Sequence, residues 1–185
     1  MNSKKIFNRR AWVFLLAIFI LEAGTVEAKK TSEGKAKLKA LNEKLVAYGA
    51  EGKLPEAIKT AEDALQLAAK EYGPKEIETA KAMNNLANLY MYAGKTNEAV
   101  GLYQRAILIE IVKTGQDSTE VADTYFNLGL AYSSQGNYNE ARQMLNRSLL
   151  IRSEKLGPNH PETQKVHKIF SQIWETEHPH AKALS

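Results

Sequence analysis

Apolar residues return every third or fourth place through the middle of the chain. Met83, Leu86, Ala87 and Tyr90 follow i, i+3, i+4, i+7, the spacing that puts one apolar stripe on an α-helix. Ala99, Leu102, Tyr103, Ala106 and Ile109 form a second stripe of the same kind. Between the stripes stands Ala93-Gly94-Lys95-Thr96-Asn97, where glycine suits the left-handed turn that ends a helix. Asn137, three residues before Glu140, predicts a capping box opening the equivalent helix further on. Pro161 suits the first turn of a last helix.

The two-helix pattern recurs. Gly52, Gly94 and Gly136 are 42 residues apart, and the same spacing links Gly73, Gly115 and Gly157. It also links Tyr48, Tyr90 and Tyr132; Ala57, Ala99 and Ala141; Glu56, Glu98 and Glu140; and Glu78, Glu120 and Glu162. A fixed period of this size marks stacked supersecondary units. The predicted fold is therefore all-α, an α-solenoid of antiparallel helix pairs. Its units fall at about 36–77, 78–119 and 120–161, with a closing helix over 162–176, all within a domain of residues 29–176. Residues 177–185 read as a flexible tail. Ala87, Gly129, Ala99 and Ala141 are small enough for close helix approach, and Tyr90 and Tyr132 fill the space above them.

The run Asn127-Leu128-Gly129-Leu130-Ala131-Tyr132, followed by Gln135-Gly136-Asn137-Tyr138-Asn139-Glu140-Ala141, resembles a tetratricopeptide repeat (TPR). The 42-residue spacing and the connector Lys155-Leu156-Gly157-Pro158-Asn159-His160-Pro161 are similar to the kinesin-light-chain type, longer than the usual 34. The first unit departs from the pattern, with Leu45 at the small position and Glu43-Lys44 where Asn-Leu is expected; it reads as a cap. The resemblance implies about three TPR units plus a C-terminal capping helix, whose first helices line a concave face. Residues there that avoid the apolar stripe face solvent or ligand. In the second unit these include Lys81, Asn84, Asn85, Asn88 and Tyr92. In the third they include Asp123, Phe126, Asn127 and Leu130, and on the closing helix Lys165 and Lys168. Three asparagines within 84–88 are poor choices for helicity, but their amides both donate to and accept from an extended peptide. The resemblance further implies that Asn85 and Asn127 hold a peptide backbone. Of a carboxylate clamp known in some relatives, Asn88, Asn127 and Lys165 match, whereas Asn84 and Ile169 depart.

Composition removes other classes. The chain has 185 residues and no cysteine, which excludes disulfides, thiolate metal sites and cysteine nucleophiles. No nucleophile elbow, phosphate-binding glycine loop or paired-histidine metal helix occurs. The reading is therefore no enzyme, no cofactor and no metal site; His178 and His180, on the tail, make at most an adventitious one. Residues 1–28 carry a basic head (Lys4, Lys5, Arg9, Arg10), the apolar run Ala11–Leu21 and Val26-Glu27-Ala28 before a cut site. That is the plan of a cleavable secretory signal peptide. Its eleven apolar residues are short for a spanning helix of about 20. The alternative is a chain anchored in the membrane by uncleaved residues 11–26. Removing the segment leaves 21 basic and 19 acidic residues, so the formal +4 becomes about +2 and nucleic acid has no claim as a partner. The expectation is a periplasmic or secreted scaffold that binds a peptide segment or partner protein on its concave face. Alternatives are a structural protein that self-associates through solenoid ends carrying Phe170, Ile173 and Trp174, or an accessory subunit of an envelope complex.

Overall fold

A computed structural model describes residues 32–177; the predicted signal segment and tail histidines lie outside them. Seven helices follow one another among the described residues: α1 (32–50), α2 (Leu54–Glu71), α3 (Ile77–Tyr92), α4 (Thr96–Thr114), α5 (Thr119–Ser134), α6 (Tyr138–Leu156) and α7 (Pro161–Glu177). Each packs on the next, from α2 to α7. In addition α3 and α5 touch, whereas α2, α4 and α6 make little or no contact with one another. The first helices of successive pairs thus line the inside of an α-solenoid and the second helices its outside. None of these helices is long and apolar enough to cross a membrane.

The tight turn within each pair is closed by backbone hydrogen bonds. The Asn137 N–H donates to the Tyr132 carbonyl at 3.0 Å and the Gly136 N–H to the Ser133 carbonyl at 3.0 Å. This is the Schellman arrangement. It requires φ of 76° at Gly136, a value that a residue with a Cβ adopts only with strain. Lys95 and Gly94 make the same two bonds to Tyr90 and Met91, at 2.8 and 3.1 Å. The capping box expected at Asn137 is absent: its side chain makes no cap bond to α6. With ψ at 67° the residue lies outside the extended region from which an N-cap side chain reaches back over the first turn, and its amide donates instead to Gln135. Ser118 does cap α5, its Oγ accepting from the Val121 N–H at 3.2 Å.

Buried alanines set the helix spacing. Ala57, Ala99 and Ala141, one per unit, are wholly buried. At Gly129 a Cβ would lie 2.8 Å from Leu145 Cγ and 3.3 Å from the Ala141 carbonyl oxygen, so α5 and α6 meet at a contact only glycine permits. The last helix closes the core. Val166 and Ile173 are buried with Phe126 and Leu145, and Phe170 packs half-buried against them. Of the three residues expected at a self-associating end, Ile173 and Phe170 therefore serve this chain's own core, leaving Trp174 as the exposed member.

Candidate functional site

Helices α3 and α5 present their free faces side by side, and α4 supplies the floor between them. Asn88, Met91 and Tyr92 from α3, Tyr103 from α4, and Asn127 and Leu130 from α5 line an open hollow of about 480 Å³. Tyr92 stands at the rim, 84% exposed, whereas Tyr103 is buried to 1%. The Tyr103 hydroxyl donates to Asn88 Oδ1 at 2.5 Å. Burial, with Tyr92 adding to it, pushes the Tyr103 phenol far above its ordinary value of 10.0, so it remains a donor at all physiological pH. That bond fixes the Asn88 side chain by its carbonyl and leaves the amide N–H groups to the hollow. The Asn127 side chain, half-buried, makes no hydrogen bond among the described residues. Two amides over an apolar floor are what a peptide backbone and one apolar side chain require of a site.

The structure brings Asn88, Tyr92, Asn127 and Leu130 together and places the other candidates elsewhere. Asn84 turns inward. Its Nδ2 donates to Glu110 Oε1 and to Thr124 Oγ1, both at 2.8 Å, so the amide expected on the ligand face joins α3, α4 and α5 from within. Phe126 is buried as well, with the Arg152 guanidinium and the Lys165 ammonium each 5.2 Å from its ring. A phenylalanine in a helix that another helix flanks gains more from that burial than from facing water. Asp123 is exposed but held by Arg152 at 2.7 Å, and Arg152 also reaches Glu162 at 3.0 Å. Lys165 lies 3.9 Å from Glu162. Lys81, Asn85 and Lys168 are exposed and lie outside the hollow.

Three residues that matter were not candidates. Tyr103 sits in the apolar stripe of a second helix, and periodicity alone assigns it to the core. Glu110 and Arg152 also stand in second helices at buried positions, 2% and 4% exposed. Their signal was available, because they occupy equivalent places 42 residues apart, where the first unit has Ala68. Burial pushes the Glu110 carboxyl above its ordinary 4.5; the neighbouring Thr124 and Asn84 pull it down, and Glu120 and Asp123 push it up further.

Two family models described as tetratricopeptide repeat match the chain, over residues 39–109 and 121–162. No curated protein matches it. Among solved structures it is similar to the nearly identical TPR-like repeats of a Podosopora anserina protein described as a kinesin light chain, with 21% identity, TM-score 0.70, and coverage of 76% of this chain and 66% of that one. It is also similar to BtubC (BKLC) from P. vanneervenii, with 25% identity, TM-score 0.64, and coverage of 79% and 61%. The chain thus spans less than two thirds of the length of either. The first TPR of Spaghetti (RPAP3), bound to the HSP90 peptide SRMEEVD, matches at 21% identity and TM-score 0.54, over 74% of this chain and 92% of that one.

Proposed function

This chain belongs to the tetratricopeptide repeat family, with the fold of kinesin-light-chain-type repeats, and we propose that it is a non-enzymatic scaffold. In this reading it binds a peptide segment of a partner protein on its concave face after export. One observation carries the reading: the hollow of about 480 Å³ where Asn88 and Asn127 offer amides above Tyr103, Met91 and Leu130. The peptide bound by the first TPR of Spaghetti supports the general mode, a repeat domain of this fold binding a segment of another protein. Here the amides would pair with the ligand's backbone while one apolar side chain enters between Tyr92 and Leu130. Because the hollow carries no charged lining residue, salt should weaken capture little.

A photo-crosslinking residue at Met91 tests this, with one at exposed Leu108 on α4 as control. The expected result is a discrete adduct from Met91 alone that is lost when Asn88→Ala and Asn127→Ala are combined in a chain whose helical circular dichroism is unchanged. Equal adducts from both positions, or capture that survives the double substitution, would sink the reading. Export has its own test, the N-terminal sequence of the protein recovered from its native compartment. The secreted form begins at Lys29, whereas recovery of an intact N-terminus with the membrane fraction would replace export by anchoring.

A further inference from the structure

The polar cluster beneath the hollow has a chemistry that binding does not use. Asn84 Nδ2 has two protons, and both are placed: one on Glu110 Oε1, the other on Thr124 Oγ1, each at 2.8 Å. Two atoms are left over. Asn84 Oδ1 and Glu110 Oε2 are both buried and neither has a hydrogen-bond partner. With an ionised carboxylate both are acceptors, so neither satisfies the other, and each carries the penalty of a buried unpaired polar atom. With a proton on Oε2 the same two atoms become donor and acceptor. They belong to groups already joined by the Nδ2–Oε1 bond, and a carboxylic acid facing a primary amide closes a ring of two hydrogen bonds.

We propose that Glu110 is a proton-operated latch between the two helices of the second repeat, at its junction with the third. In its neutral form it closes the two-bond ring with Asn84, and on ionising it breaks that ring and leaves a buried, unpaired charge. The surroundings favour the neutral form. From α5 it faces Thr124, whose hydroxyl donates to the Glu120 carbonyl at 3.2 Å, and the carboxylates of Glu120 and Asp123 repel a second negative charge. From α3 it meets the uncharged Asn84; Lys81, one turn earlier, is exposed and makes no ion pair with it. On its own helix, Thr114 bonds the Glu110 backbone carbonyl at 2.9 Å, not the carboxyl. Asn84 lies one turn before Asn88, and Thr124 one turn before Asn127, so the latch braces the helices that carry the hollow. That link to the hollow rests on the peptide-binding reading, whereas the latch itself stands on these three side chains.

The sign of the pH dependence follows. The folded-state carboxyl holds its proton to higher pH than the unfolded chain does, so the stability it contributes is complete below about 4.5 and is lost as pH rises through the folded value. Glu110→Gln builds the neutral form permanently, with an amide N–H in place of the O–H. Melting temperatures of the full chain and of E110Q, measured from pH 4.5 upward, are expected to diverge: the wild type falls with pH and E110Q falls less. In the wild type, the Glu110 carboxyl carbon followed by NMR is expected to titrate above all exposed glutamates. Parallel melting curves, titration with the exposed glutamates, or an E110Q chain that does not fold would each overturn the latch. No partner enters these measurements, so their failure leaves the binding reading standing, and the reverse also holds.

Discussion

The second and third repeats have the same backbone and different fillings. In the second, Asn84 bonds Glu110 at 2.8 Å; 42 residues on, the same places hold Phe126 and Arg152, joined by a ring and a guanidinium 5.2 Å apart. In the second, Tyr103 bonds Asn88 at 2.5 Å; in the third the pair is Leu145 and Leu130, two apolar residues. Ala87 against Tyr103 becomes Gly129 against Leu145. Each time both members of a contact differ together. The repeat thus fixes which positions meet, while the chemistry of the meeting is free provided both sides agree. The charge of each buried group also follows its neighbours. Arg152 has Asp123 and Glu162 within 3.0 Å, but the residues at the corresponding places around Glu110 are Lys81 and Glu120, which cannot neutralise an arginine in the same way.

The strongest way to break that pairing is Arg152→Glu. It would put a carboxylate at a position 4% exposed, between Asp123 and Glu162 and against the face of an aromatic ring. Loss of the two ion pairs and of the guanidinium on the ring, together with the burden of burying a carboxyl that must either take up a proton or sit charged beside two others, costs about 3–5 kcal/mol. The urea midpoint should fall accordingly with the slope unchanged. Adding Phe126→Asn rebuilds the second repeat's pair in the third, and a double-mutant cycle should return a favourable coupling of about 1 kcal/mol or more. Strict additivity would mean that the two sites are independent, against the comparison.

A middle-sized effect separates close approach from helix propensity. Propensity alone makes alanine better than glycine inside a helix by about 1 kcal/mol, so Ala87→Gly in α3 should cost about that. Gly129→Ala should not return it. The new Cβ would sit 2.8 and 3.0 Å from two Leu145 carbons, and overpacking of that kind costs roughly 1–3 kcal/mol. Opposite substitutions at equivalent places should therefore both destabilise, read from the same urea midpoints.

How much of this the amino-acid sequence carries depends on the level asked about. The helices, their pairing and the 42-residue register are legible because identical residues recur where the backbone repeats its needs: glycine at positive φ, alanine at the narrow crossings. The side of a helix on which a polar residue ends up is less legible. Asn84 and Asn88 are four residues apart and look alike in a periodic reading. One nevertheless turns into the Glu110 cluster and the other into the hollow, because only the first lies over a buried carboxyl contributed by another helix. Phe126 is misread for the same reason, since its partner Arg152 comes from α6. Such contacts across helices obey the repeat, but their chemistry becomes readable only when both members are compared with their equivalents one period away.

The smallest effect probes the hollow itself. Tyr103→Phe removes the hydroxyl that bonds Asn88 at 2.5 Å and leaves the packing of a fully buried ring intact. Asn88 is half-buried beside an open hollow, so water can replace the lost partner, and the cost should stay near 0.5–1.5 kcal/mol. Its side-chain amide, no longer held by its oxygen, should lose the distinct chemical shift of a fixed group in a ¹H–¹⁵N spectrum. Replacing Tyr103 and Asn88 together by leucine writes the third repeat's apolar pair into the second. The double substitution should then cost less than the sum of its halves, since neither change leaves a polar atom waiting for the other. An additive result would show that Tyr103 and Asn88 contribute separately, and that the hollow's amide is oriented by the helix alone.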